Sequence, residues 1–599
     1  MIPETISSLL HQCSKTKSFR RGFSLHAVVL KTGLQSDVFI SNHVVNMYAK
    51  CGKLDPARRV FDDMSERNLV SWSAMISGYD QVGDHALALE LFSRMRLVPN
   101  EYVFGSAICA CASLRDLVKG QQIHAQSLKF GYAYVSFVSN SLISMYMKCG
   151  CCDDALSVYE DVSEPNSVSF NALIGGFVEN QQPEKGFELF KLMHRQGLMP
   201  DCFTFAGLLE ICNNSNYLNM GMVLHCHTIK LKLDSTAFVG NLIMTMYSKF
   251  SLVEEAEKVF RLIEEKDVIS WNTLIAACSH CADHEKGLRV FKEMSNDCSV
   301  KPDDFTHASV LAACAGLASV LHGKEIHAQI IRARLGQDVG VGNALVNMYA
   351  KCGFIGYSYK VFSKMLHRNL VSWNTIIAGF GNHGLGSLAI KSFEQMITVG
   401  IKPDSVTFVG LLIACNHAGL VEEGELYFNS MEETYGIRPN LEHFSCLIDL
   451  MGRAGKLHEA EDYIKRFPFG MDPVVLGSLL SACRLHRDVV IGERLAKQLL
   501  KLQPVSTSPY VLLSNLYAWD AMWVDVAEAR KMLKGSGMKK EPGYSMVAVK
   551  GTFEKFTVGD FSHSRIEEIK YMLKILGWAA VDVCSNHDIV ILLDRYTYI

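Results

Sequence analysis

Leu370 to Asp404, LVSWNTIIAGFGNHGLGSLAIKSFEQMITVGIKPD, is the stretch whose reading decides the fold. Trp373, Ile376, Ile377 and Phe380 fall at i, i+3, i+4 and i+7, one apolar stripe of an amphipathic helix. Asn382 to Gly386 breaks it. A second set, Ala389, Ile390, Phe393, Met396 and Ile397, follows at helical spacing, and Gly400 and Pro403 supply a C-cap and a stop. The stretch is therefore a helical hairpin. Neither helix can bury its stripe within the pair, so the hairpin must stack on neighbours built alike.

Those neighbours are in the chain. Leu69–Asn100, Ser167–Asp201 and Val268–Asp303 align with it, so that starts at 69, 167, 268 and 370 are spaced by 98, 101 and 102 residues. Between these standard units lie long ones (Glu101–Val135, Cys202–Thr236, Asp304–Asp338, Ser405–Asn440) and short ones (Ser136–Asn166, Ala237–Asp267, Val339–Asn369). Pro3–Asp37 reads as a further long unit, Val38–Asn68 and Leu441–Asp472 as short ones, fourteen units in all over residues 3–472. The expected fold is all-α, a right-handed superhelical solenoid of stacked helix-turn-helix units.

Composition agrees. A hydrophobic content of 49% with 14 prolines in 599 residues suits packed helices, and no run of 18 apolar residues predicts a membrane span. A net charge of −3 argues against a generally basic nucleic-acid binder, so any such contact must be local and base-directed. Of 19 cysteines, Cys13, Cys111, Cys212, Cys314 and Cys415 each hold the eleventh place of a long unit, and Cys51, Cys149 and Cys352 the fourteenth of a short one. Repeat register marks them as buried free thiols rather than disulfides. Residues Thr5 to Ser36 lack acidic side chains and carry His11, Lys15, Lys17, Arg20 and Arg21, as an organelle transit peptide does, but they also fit the first long unit, and that reading takes precedence.

The same logic disposes of several chemical candidates. His26, His124, His225 and His327 are each the twenty-fourth residue of a long unit, which marks architecture rather than metal binding. Cys278 and Cys281, with His280 and His284 nearby, have zinc-like spacing but lie within one helix and its turn and lack a second ligand pair, so no metal is expected. Trp72, Trp271 and Trp373, with Phe170 in the same place, are core anchors, and Gly78, Gly176, Ala277 and Gly379 mark close helix approach.

Packing leaves one polar set unexplained. The fifth residue of the standard and short units is Asn42, Ser73, Asn140, Asn171, Asn241, Asn272, Asn343, Asn374 or Ser445, although helix interiors disfavour Asn. The last residue of the same units is Asn68, Asn100, Asn166, Asp201, Asp267, Asp303, Asn369, Asp404 or Asp472. N-capping of the next helix accounts for the terminal set but not for the fifth place. A carboxylate only accepts hydrogen bonds and suits uracil or guanine, which present a ring N–H; an amide can also donate and suits cytosine or adenine. At the fifth place Asn reaches a pyrimidine, whereas Ser leaves room for a purine. Phe39, Val70, Phe137, Val168, Phe238, Ile269 and Val371, in the second place, would flank the bases.

The motifs SWNTII, NMYAKCG and VGIKPD resemble those of plant pentatricopeptide repeat proteins of the class with alternating long, short and standard repeats, over about Pro3 to Leu576. That resemblance implies single-stranded organellar RNA as partner, one base per repeat, chosen by the fifth and last residues. Carried over pair by pair, Asn42 with Asn68, Asn140 with Asn166 and Asn343 with Asn369 read a pyrimidine. Asn171 with Asp201, Asn241 with Asp267, Asn272 with Asp303 and Asn374 with Asp404 read uracil. Ser73 with Asn100 reads adenine and Ser445 with Asp472 guanine. Gly105, Ala206, Ala308 and Val409, in the fifth place of long units, cannot pair, so the implied target is 5′-Y-A-n-Y-U-n-U-U-n-Y-U-n-G-3′, with Y a pyrimidine and n unread.

Residues 473–540 resemble the family's helical extension motifs, and 541–576 the segment joining them to a cytidine-deaminase-like domain ending in Asp-Tyr-Trp, with Met546 where Trp is frequent. A zinc deaminase needs H-x-E and C-x-x-C. After Glu541 only His563, His587 and Cys584 occur, none in such a motif, so no catalysis and no cofactor are expected, and Gly577–Ile599 is unassigned. Its IVILL run is either a strand or an accident of a truncated gene. The resemblance implies site recognition for cytidine-to-uridine editing, with a deaminase-bearing pentatricopeptide repeat protein in trans and multiple organellar RNA-editing factor proteins as partners, in the mitochondrion or alternatively the chloroplast. Transcript stabilisation, processing or splicing is the second reading. A protein-binding helical scaffold is the third, and it predicts no reason for Asn or Asp at the last place of nine units.

Overall fold

Asn369 adopts an extended backbone, and its side-chain oxygen accepts the Ser372 N–H at 3.0 Å while the Ser372 hydroxyl accepts the Asn369 N–H at 3.2 Å. This capping box starts helix Leu370–Asn382. Gly384, at φ +70°, turns the chain into helix Gly386–Thr398, which ends at Gly400, φ +81°, where Ile401 N–H reaches the Met396 carbonyl. The boundary differs slightly from the sequence expectation, because Gly386 begins the second helix rather than breaking the first. Trp373, Ile376, Ile377, Phe380, Ala389, Phe393 and Met396 are buried together, whereas Ile397, expected in the stripe, is exposed.

The structure, a computed structural model, describes residues 3–585 apart from 163, 213–216, 298, 334–337, 503–506, 538–543, 550–551, 558–559 and 564. Among these, twenty-eight α-helices run from Pro3–Lys15 to Leu457–Arg466, two to each expected unit. The chain divides into two compact units at Cys281/Ala282. In each, the first helices of successive hairpins pack side by side: Glu101–Leu114 lies against Leu69–Val82 and Ser136–Lys148, and Leu370–Asn382 against Val339–Lys351 and Ser405–Ala418. Each is thus an α-solenoid. The transit-peptide-like residues form helices Pro3–Lys15 and Phe19–Lys31, which pack on Val38–Lys50 as a unit should.

The recurrent residues explain the stacking. Trp72, Phe170, Trp271 and Trp373 meet Phe61, Tyr159, Phe260 and Phe362 edge to face at 5.0, 5.4, 4.7 and 4.9 Å, a favoured aromatic geometry. Close approach holds where small residues were expected: a Cβ on Gly176 would lie 2.3 Å from Met147 Cγ, and one on Gly78 2.9 Å from Ala49 Cβ. His26, His124 and His225 bond through Nδ1 to the hydroxyls of Tyr48, Tyr146 and Tyr247 at 2.9 Å, and His327 to Tyr349 at 3.0 Å, each tying a long unit to the next short one. Cys13, Cys111, Cys212, Cys314 and Cys415 are buried, and desolvation pushes the last four thiols up to about 12. Cys51, Cys149 and Cys352 are a correction: they are only half-buried, because each is the C-cap of its helix.

Beyond Arg466 the stacking continues through Pro473–His486 with Val489–Lys501 and Ser508–Trp519 with Trp523–Gly535. An antiparallel pair, Tyr544–Val549 with Thr552–Thr557, and helix Ile566–Ser585 follow. The IVILL run at residues 589–593 lies outside the described residues. Among the described residues no helix is long and apolar enough to cross a membrane, and no cluster of three or more His, Cys, Asp or Glu could hold a metal.

Candidate nucleic-acid interface

The last residue of one unit is the N-cap of the next unit's first helix, which brings it beside the fifth residue of its own unit. Asn374 Nδ2 donates to Asp404 Oδ1 at 3.0 Å, and Asn171 Nδ2 to both oxygens of Asp201 at 2.9 and 3.1 Å. The amides of Asn42, Asn140, Asn241 and Asn343 likewise donate to Asn68, Asn166, Asp267 and Asn369 at 3.0, 3.4, 3.4 and 3.3 Å. Every last residue also caps. Asp404 Oδ1 accepts the Thr407 N–H at 2.8 Å, Asn100 that of Val103 at 3.1 Å and Asp472 that of Val474 at 2.8 Å. Capping and pairing are thus two uses of one side chain, and the first does not exclude the second.

Two expected pairs differ. Ser73 and Asn100 line one groove without a mutual hydrogen bond given by the geometry, the serine being too short for the amide's role. Ser445 Oγ is buried and unpartnered while Asp472 serves its cap. Asn272 is buried on helix Val268–His280, and Asp303 caps Asp304–Gly316 like the other last residues.

Several of these residues line two grooves. One, of about 810 Å³, is lined by Phe39, Asn42, Asn68, Val70, Ser73, Asn100 and Tyr102. Another, of about 850 Å³, is lined by Asn343, Val371, Asn374, Asp404 and Val406. Second-place side chains stand exposed: Phe39, Val70, Phe137, Val168, Phe238, Ile269 and Val371, and in the long units Tyr102, Phe203, Phe305 and Val406, of which Phe39, Val70 and Tyr102 line the first groove and Val371 and Val406 the second. In the long unit from Glu101 the fifth place is closed, since a Cβ on Gly105 would lie 2.2 Å from the Phe137 ring.

Charge in the grooves is local. Burial raises the Asp404 carboxyl, but the Thr407 N–H and hydroxyl and the Asn374 amide outweigh it and hold the group below its usual range. Asp267 is likewise raised by burial and, on balance, lowered by Ser270 and Asn241. Both stay acceptors only. Sequence reasoning missed the cations: Lys50, Lys148, Lys249, Lys351 and Arg453 share the thirteenth place of the short units, and Lys50 and Lys351 line the two grooves. Their register was readable once units were aligned, but which face they share was not. It missed the second place of the long units for the same reason.

Comparison with known proteins fits this geometry. The PPR repeat family matches residues 165–214, 266–316 and 368–417, and the PPR repeat matches six further segments from 39–69 to 442–468. A chloroplastic pentatricopeptide repeat-containing protein of Arabidopsis thaliana is 35% identical over 571 residues, covering 95% of this chain and 70% of that protein. The chain belongs to the pentatricopeptide repeat family. A mitochondrial relative from the same plant is 37% identical over 587 residues, 94% of this chain and 65% of its own length. The E motif matches residues 486–548. Among solved structures, the pentatricopeptide repeat protein PPR10 in complex with an 18-nt psaJ RNA element shares the solenoid fold, with a TM-score of 0.58, 16% identity and coverage of 89% of this chain and 84% of that one.

Proposed function

We propose that the chain binds single-stranded RNA in a plant organelle, each short or standard unit reading one base through its fifth and last residues. The observation that carries this reading is the amide-to-acceptor pair, bonded between the fifth and last residues of one unit and open to a groove between exposed apolar side chains, as with Asn374 and Asp404 between Val371 and Val406. A base sliding between the second-place side chains would stack on them while its polar edge meets the pair. The thirteenth-place lysines would neutralise phosphates, the local basic contact that a chain of net charge −3 requires. The organelle is supported by relatives named chloroplastic or mitochondrial, with the mitochondrion the first choice. An RNA oligomer of the sequence 5′-Y-A-n-Y-U-n-U-U-n-Y-U-n-G-3′ is expected to bind far more tightly than a scrambled one; equal affinity rejects the reading.

The finer reading is site recognition for cytidine-to-uridine editing. It is supported by the E motif match and by the continued helical stacking from 473 to 535, which places a helical surface next to the last reading unit. The deaminase would be supplied in trans by another pentatricopeptide repeat protein, with multiple organellar RNA-editing factor proteins as further partners. Sequencing of organelle transcripts from a plant lacking the gene tests this. Loss of editing at one or a few cytidines is expected; normal editing with altered transcript ends or abundance would favour processing or stabilisation instead.

A further inference from the structure

Wherever the fifth residue of a reading unit is Asn, the third residue of the following unit carries a hydroxyl: Ser71 follows Asn42, Ser169 Asn140, Thr204 Asn171, Ser270 Asn241, Thr306 Asn272, Ser372 Asn343 and Thr407 Asn374. Where the fifth residue is Ser, at Ser73 and Ser445, the third is Val103 or Val475. After the long units, whose fifth places do not pair, it is Ile40, Val138, Val239, Val341 or His443. Helix capping does not explain the pattern. Asn100, Asp338 and Asp472 cap their helices with Val103, Val341 and Val475 in the third place.

The contacts show what the hydroxyl touches. Thr407 Oγ1 donates to Asn374 Oδ1 at 2.6 Å, Thr204 to Asn171 at 2.6 Å, Ser71 to Asn42 at 2.6 Å and Ser169 to Asn140 at 2.7 Å. Such a separation is usual for O–H···O and short for N–H···O, and two unprotonated oxygens would repel there. The amide oxygen therefore faces the hydroxyl. Its Nδ2 then gives one hydrogen to the last residue, leaving the second for the groove. In these four units the hydroxyl also lies 2.8, 3.1, 3.1 and 3.3 Å from the cap oxygens of Asp404, Asp201, Asn68 and Asn166, farther than from the amide oxygen, whereas at Ser270 and Ser372 the cap contact, at 2.8 and 3.0 Å, stands alone and Asn241 Oδ1 and Asn343 Oδ1 are left buried without a partner.

We propose that the third-place hydroxyl is a positioning residue that aims the fifth-place amide, so that Asn offers a base an N–H rather than a carbonyl and selects pyrimidines through their ring carbonyl oxygen. This rests on the RNA-reading function above. The rule is that base choice in a unit whose amide oxygen meets the hydroxyl is set by three residues, the third belonging to the next unit.

Thr407→Val, which keeps the β-branched shape and deletes only the hydroxyl, tests it in the full chain against oligomers differing only at the base opposite the Asn374–Asp404 unit. Wild type is expected to prefer uracil over adenine there, and Thr407→Val to lose on the order of tenfold of that preference, the size of one misaimed hydrogen bond. Thr407→Ser should restore it, while discrimination at the Asn171–Asp201 unit, with Thr204 intact, stays unchanged. If Thr407→Val weakens all bases equally, or leaves the preference intact, the hydroxyl is only a structural cap and the inference is overturned while the RNA reading stands. If wild type itself shows no preference at either position, the RNA reading fails and the inference with it.

Discussion

Asp404 shows how one side chain acquires a chemical role from its surroundings. Its oxygens take the Thr407 N–H and the Asn374 amide, and those donors keep the carboxyl ionised. Asp404→Asn keeps the cap but replaces an acceptor by a group that can also donate. Uracil preference over cytosine at that unit is therefore expected to fall by about tenfold or to invert, equivalent to about 1–3 kcal/mol for a mispaired polar group, measured by fluorescence anisotropy. Because the folded-state pKa lies below the ordinary value, the acceptor persists as pH falls from 8 to 5. Uracil preference should stay constant over that window and weaken only near and below pH 4, as protonation approaches. A preference that changes between pH 8 and 6 would contradict the assignment.

At the scale of the hairpin, the His–Tyr pairs do what the sequence register suggested and do it in a titratable way. Burial lowers the pKa of His26, His124, His225 and His327, so the folded protein disfavours protons that the unfolded chain accepts near 6.5. Stability is complete above about pH 7 and is lost as pH drops through 6.5 towards the lowered folded values. A chain with all four replaced by Gln is expected to show a smaller fall in melting temperature between pH 7.5 and 5.5 than wild type, read by circular dichroism. The glycine rule belongs to the same scale. Gly176→Leu must displace Met147 and should cost about 1–3 kcal/mol by overpacking, seen as a lowered melting temperature.

For the whole chain, charge is a matter of placement rather than total. Five cations recur at the thirteenth place of short units in a protein of net charge −3, and two of them line grooves that also hold fifth-place and last-place residues. Replacing Lys50 and Lys351 by Gln should weaken matched and scrambled oligomers alike and reduce the slope of log affinity against log salt by roughly 0.7 per lysine lost. An unchanged slope would remove these lysines from the phosphate path. The expectation is separate from base choice, which depends on the paired residues and the hydroxyl that aims them.

The sequence by itself determined the repeat length, the helical hairpins, the core stripe around Trp373 and the places where polar residues escape packing, because each of these is a periodic property that alignment of copies makes visible. It also carried the third-place hydroxyls and the thirteenth-place cations, but only as letters. Tertiary structure decided which letters touch. Asn374, Asp404 and Thr407 span two units and meet only because the first helices of those units stack. Stacking also decided that Phe137 closes the Gly105 position, that Ile397 faces solvent and that Cys51, Cys149 and Cys352 stop at half-burial on helix ends. Period and propensity are local, whereas hydrogen-bond partners, exposure and the aim of an amide depend on neighbours some thirty residues away in the chain.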